Sequence, residues 1–190
     1  MSPASKISII RQVGGNRLVS DATWWLILDP ATGKPTRYTS FNSRSDKLNV
    51  PKAFAFRPYR QSRCVIPVSA FVEGLGDGST YHMVELIDQA IMLGGLYREY
   101  LVPDTGEIVL GCSIITLGAL PAWRHFHPDS MPLILPVEKS LIDAWLDPAV
   151  TDVEQFDQLL QARVGAVQRV TPIDRPSTWS AVGDPFLICP

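Results

Sequence analysis

Glu73 closes the apolar run Ser69-Ala70-Phe71-Val72. A carboxyl group at the end of a core strand loses water on one side, and desolvation lifts it toward the range where it can trade protons near neutrality. The same placement also suits a surface glutamate at a strand end. Two of the three histidines fall in Trp123-Arg124-His125-Phe126-His127-Pro128-Asp129-Ser130-Met131-Pro132. On a strand, the HxH spacing would turn His125 and His127 to one face as two ligands of a metal hydrolase, but no third ligand of fitting spacing follows. His127, beside Pro128 and near Asp129, alternatively serves as a single acid/base imidazole, with His125 as its rival. His82 lies in a predicted strand and reads as structural.

A second group is polar and cationic. Phe41-Asn42-Ser43-Arg44-Ser45-Asp46 offers the amide of Asn42 and the planar fork of Arg44, which suits phosphate or carboxylate; an exposed turn with an Asx cap is the alternative. Around it, Arg37, Arg44, Lys47, Lys52, Arg57, Arg60 and Arg63 alternate with Tyr38, Phe41, Phe54, Phe56 and Tyr59. Cations for phosphates and aromatics for stacking are what a single-stranded nucleic-acid platform requires. The competing reading makes the aromatics core residues and the cations mere solubilisers.

The glycine signatures GxGxxG and GxxxxGK[ST] are absent, Gly76-Asp77-Gly78 reads as a hairpin turn, and no cofactor is expected. Cys64, Cys112 and Cys189 are widely separated, without CxxC spacing, which argues against a disulfide framework and for a reducing cytoplasm. With 17 Lys and Arg against 19 Asp and Glu, the net charge of −2 makes any nucleic-acid site a local patch. No apolar stretch approaches a membrane span, and the composition, 46% hydrophobic and 19% charged, is that of a folded chain.

The elements that must position these residues are mostly strands. Lys6 to Gln12 and Arg17 to Val19 flank the turn Val13-Gly14-Gly15-Asn16. Strands are also predicted over Trp24–Leu28, Cys64–Val72, Thr80–Leu86, Ala90–Tyr97 and Ile108–Thr116, the later ones forming an antiparallel meander. Pro67 marks an edge or bulge. Helices are predicted over Pro136–Leu146, from the capping box Thr151-Asp152-Val153-Glu154 to Arg163, and near Lys52–Phe56. The tail from Val167 to Pro190 is expected to wrap as an extended strand and loops. The expected fold is α+β, mostly antiparallel sheets, partly barrel-like, with a few peripheral helices.

Five segments occur in an order that resembles the SOS-response-associated peptidase (SRAP) family: Phe41 to Asp46, Arg63 to Glu73, Gly94-Gly95-Leu96-Tyr97, Ile114-Ile115-Thr116 and His127 to Leu135. The family captures abasic sites in single-stranded DNA through a Cys after the initiator Met, whose amine and thiol close a thiazolidine ring with the sugar aldehyde. The resemblance implies that Asn42 positions the ring, Glu73 is the acid/base and His127 assists proton transfer, the pair also serving self-cleavage. Arg44, Arg37, Arg63 and Phe41 would contact single-stranded DNA, with no metal, no membrane and a monomeric protein. The chain opens Met1-Ser2-Pro3 without the family's Met-Cys segment, Ser2 standing too few residues before Ile7 to align with that Cys, while Gly74 replaces a Trp and Ser130 replaces an Arg. The expectation is thus a single domain over 1–190 without the family's N-terminal segment, crosslinking only if a Cys stands upstream. The alternative is a catalytically inactive DNA-binding or interaction module on the same scaffold.

Overall fold

The computed structural model describes residues 2–190. β1 (Lys6–Val13) and β2 (Asn16–Thr23) form the expected hairpin, Lys6 facing Thr23 and Val13 facing Asn16. Gly14 and Gly15 turn it at φ 55° and 81°, the left-handed pair that suits the strand twist. There follow β3 (Asn42–Arg44), α1 (Phe56–Gln61), β4 (Arg63–Val68), β5 (Ala70–Gly74), β6 (Tyr81–Leu86), β7 (Ile91–Leu101), β8 (Ile108–Leu117), β9 (Met131–Pro132), α2 (Lys139–Leu146), β10 (Gln168–Ile173) and β11 (Phe186–Ile188).

β2, β1, β4, β7 and β8 are successive neighbours, and a parallel contact of Thr23 with Gly111 closes them into a five-stranded barrel. β3 and β9 attach to β8. The second sheet, β11-β10-β6-β5, is antiparallel throughout. One chain segment serves both: β4 ends in the barrel at Val68, and after Ser69 the chain continues as β5 in the second sheet. Pro67 lies where β4 has lost its second pairing partner, since β1 pairs with β4 only at Ile10–Val65. This switch of sheets places Glu73 outside the barrel wall. The folding class is α+β, as expected, but the meander is divided: the β5–β6 and β7–β8 hairpins belong to different sheets.

Trp24–Leu28 is not a strand. The segment crosses β8 instead of pairing with it, so close that a Cβ on Gly111 would lie 2.6 Å from Trp25 O and 2.9 Å from Leu26 O. Its amides are satisfied locally, Leu26 N–H by Ser40 O and Ile27 N–H by Ser40 Oγ. The helix expected from Thr151 is a 3₁₀ run, Glu154–Leu160, and Asp152 rather than Thr151 accepts the Glu154 N–H. Val153, which caps it, and its buried residues Phe156 and Leu159 recur every third position, which matches three residues per turn. α1 begins where the candidate at Lys52–Phe56 was expected to end, with Pro58 in its first turn.

Arg63 corrects another expectation. It is 2% exposed and cannot contact DNA. Its guanidinium donates to the carbonyls of Tyr59, Trp145, Asp147 and Val150 at 2.6–2.9 Å. These lie at or beside the C-terminal ends of α1 and α2, where a cation is favoured by the helix dipole. Among the described residues no helix is long and apolar enough to cross a membrane.

Candidate functional site

Phe71 and Glu73 lie two apart on β5 and so share a face. Phe71 stacks on Trp123 with ring centroids 5.9 Å apart, and Glu73 Oε2 lies 3.5 Å from His127 Nδ1. Trp123 and His127 are joined by a helical-type turn, the His127 N–H donating to Trp123 O at 2.8 Å. One turn of a loop is thus laid along two residues of a strand. The loop is anchored by wholly buried Trp123 and Phe126, and Trp123 Nε1–H donates to Gln168 Oε1 on β10 at 2.9 Å. With 123 and 126 turned inward, His127 meets Glu73 while His125 stays in solvent.

His127 Nδ1 lies 2.9 Å from Gly74 O and Nε2 lies 3.3 Å from Ser130 Oγ. A carbonyl only accepts, so Nδ1–H donates to Gly74 O, and in the tautomer this selects the lone pair lies on Nε2, toward Ser130. Burial pushes the Glu73 carboxyl up to about 7, against the opposing pull of His127. Both side chains keep about a fifth of their surface, 21% for Glu73 and 20% for His127, open to a ligand. Near neutral pH such a carboxyl can give a proton to a departing oxygen and take one from an attacking amine. Ser130 and the Gly74 carbonyl are the members that sequence reasoning missed; both stand at departures from the family's motifs.

Asn42 and Arg44 lie on the exposed face of β3. Between them Ser43 is buried, its hydroxyl 2.7 Å from Ser113 Oγ, which pins β3 to β8. Asn42 pairs with Ile114, and Arg44 with Thr116, which on its other side pairs with Pro132 of β9. The end of β8 therefore carries β3 on one edge and, on the other, the strand that follows the His127 loop. No hydrogen bond among the described residues joins Asn42 to Glu73 or His127. Arg44 is held by Asp46 through Nε–Oδ1 at 3.0 Å and Nη2–Oδ2 at 3.2 Å, which raises the pKa of the guanidinium and leaves it exposed. Arg37 is exposed, and half-buried Phe41 packs against Trp24 and Trp25 at 5.9 and 5.7 Å.

The basic and aromatic run divides between the two readings. Tyr59 is core, and Arg60 folds over Phe56 and binds Asn49. Tyr38 is 59% exposed, backed edge-on by Phe54, and Arg37, Arg44, Lys47, Lys52 and Arg57 remain in solvent.

The two-histidine metal reading loses its premise, because 123–127 is a turn and not a strand. Among the described residues no group of three or more His, Cys, Asp or Glu is placed to hold a metal. His82 lies opposite Glu73 across the β5–β6 pair with its ring against Phe126, 5.4 Å between centroids. Cys64 and Cys112 are buried, which raises both thiols and makes them poor nucleophiles.

The order of the five segments is accounted for by one family. The chain belongs to the SOS response associated peptidase (SRAP) family, whose model matches residues 1–176. No curated protein matches it. Among solved structures it is similar to a protein from Bordetella bronchiseptica at 22% identity and TM-score 0.71, covering 92% of this chain and 87% of that one. A protein from Bacteroides thetaiotaomicron matches at 21% identity and TM-score 0.69, covering 92% of this chain and 75% of that one. A phage-related protein from Bordetella bronchiseptica matches at 17% identity and TM-score 0.69, covering 98% and 86%. These likenesses establish the fold.

Proposed function

We propose that this protein recognises abasic sites in single-stranded DNA, holding the strand on the face of Arg37, Tyr38, Asn42 and Arg44 and presenting the sugar aldehyde to Glu73 and His127. The observation that carries the reading is the Glu73–His127 pair, a half-buried acid raised to about 7 and set 3.5 Å from an oriented imidazole. Imine formation at an aldehyde needs a proton acceptor for the attacking amine and a proton donor for the departing water; a carboxyl near its midpoint serves both. The exposed cations supply the phosphate contacts, and Tyr38 and Phe41 offer rings to unstacked bases.

Capture as a thiazolidine takes in addition a Cys with a free α-amine beside its thiol, a part that Cys64, Cys112 and Cys189, with their amines in peptide bonds, cannot play. The activity proposed for the residues described is therefore recognition, with Glu73 and His127 hydrogen-bonding the aldehyde oxygen. The test compares wild type with Glu73→Gln and His127→Ala for binding to an abasic and an intact single-stranded oligonucleotide. Both variants are expected to bind intact DNA like wild type and to lose the preference for the abasic strand. Unchanged discrimination in both would support the alternative, a module that uses the scaffold without the pair.

A further inference from the structure

His127 has a neighbour that the DNA reading does not use. Its Nδ1–H donates to Gly74 O at 2.9 Å, with Glu73 Oε2 3.5 Å from the same nitrogen, and Nε2 on the far side of the ring lies 3.3 Å from Ser130 Oγ. Hydroxyl, imidazole and carboxyl in that order are a nucleophile, its base and the group that steadies the base. The tautomer is the one required: with the proton held on Nδ1, the Nε2 lone pair is left to take the hydroxyl proton. A separation of 3.3 Å is at the loose end for such a pair, as in unliganded sites whose hydrogen bonds tighten on substrate. Both ends of the loop are fixed, by Trp123 and Phe126 in the core before it and by Met131 paired with Leu117 after it, and Ser130 is half-buried between them. The Ser130 N–H makes no hydrogen bond within the described residues. It is therefore available to a developing oxyanion, the part that the nucleophile's own N–H plays in serine hydrolases.

We propose that Ser130 is the nucleophile of an acyl-transfer site, with His127 as its base and Gly74 O and Glu73 holding that base, and that the site hydrolyses esters of small carboxylic acids. Ser130 Oγ bonds to the carbonyl carbon while its proton passes to His127 Nε2. The imidazolium returns the proton to the departing alcohol oxygen as the C–O bond breaks. Water attacks the acyl-serine by the same route and releases the carboxylic acid and the free hydroxyl, so the cycle consumes only ester and water. The Glu73 carboxylate stabilises the imidazolium formed between the two proton transfers. The family's motif has an Arg where this chain has Ser130, so the nucleophile belongs to this chain and not to the family at large. The inference shares Glu73 and His127 with the DNA reading but neither its substrate nor its readout.

The test treats the full chain, free of DNA, with a fluorophosphonate, which phosphonylates a base-activated serine with loss of fluoride, and places the adduct by peptide mass spectrometry. Hydrolysis of p-nitrophenyl acetate is followed in parallel. One adduct, on Ser130, is expected, formed about a hundredfold more slowly in His127→Ala, the lower end of what a general base supplies. Ser130→Ala is expected to take no adduct and to hydrolyse the ester at least about tenfold more slowly than wild type. No adduct on the wild-type chain, an adduct on another residue instead, or ester hydrolysis undiminished in Ser130→Ala would each overturn the proposal. Abasic preference without hydrolysis sinks this inference alone, and hydrolysis without abasic preference sinks the DNA reading alone.

Discussion

Glu73 is the residue on which sequence, burial and chemistry converge, and its raised pKa ties function to stability. The folded protein holds the Glu73 proton up to about 7, whereas the unfolded chain releases it near 4.5, the ordinary value of a glutamate. Between those values the native state binds more protons, so its stability falls as pH rises, and the loss is complete above about 7. Glu73→Gln removes the buried charge. It is expected to stabilise the protein at pH 8 by roughly 1–3 kcal/mol while changing little at pH 4, which thermal unfolding at the two pH values measures. The preference for the abasic strand is expected to change as pH crosses about 7, where Glu73 ionises, and Glu73→Gln is expected to remove that pH dependence. Arg44 belongs to the same scale: Arg44→Gln is expected to reduce the slope of log affinity against log salt by about 0.7 for single-stranded DNA, one phosphate contact.

At the scale of elements, two devices hold the site. The first is the β5 strand against the 123–127 turn, with Phe71 on Trp123 as one fastening and Glu73 on His127 as the other. Trp123→Ala is expected to cost about 3–5 kcal/mol and to release the His127 loop, seen as loss of abasic preference together with lowered unfolding temperature. The second is Arg63, whose four carbonyl acceptors tie α1 and the end of α2 to the barrel. Arg63→Ala is expected to lower stability by about 2–4 kcal/mol and to leave the salt slope of DNA binding unchanged, because the side chain never meets the strand. Of these devices, the hairpins and the place of Glu73 at the end of an apolar run were legible in the sequence, since alternation and turn residues are local signals. It concealed Arg63, because a buried guanidinium satisfied by carbonyls 82 to 87 positions away has no local signature. It misassigned 151–163, because an apolar period of three falls within the tolerance of a helical pattern until packing selects the 3₁₀ geometry.

For the whole molecule, the net charge of −2 conceals an uneven distribution. Arg37, Arg44, Lys47, Lys52 and Arg57 stay in solvent on one stretch of chain, while Arg63 of the same run is spent on the core. The strand order, with β5 leaving the barrel and β3 and β9 flanking the end of β8, was not legible in the sequence because it depends on pairings between distant segments. That order sets Glu73 in the second sheet with His127 on the loop beside it, and Asn42 and Arg44 on the strand attached to the barrel. The most direct test of the central claim is fluorescence anisotropy with a labelled single-stranded oligonucleotide carrying one abasic site, set against the intact strand at fixed salt. Saturable binding with about a tenfold preference for the abasic strand, equivalent to about 1.4 kcal/mol, is the predicted result. Equal affinity for the two strands, or no binding to either, would contradict it.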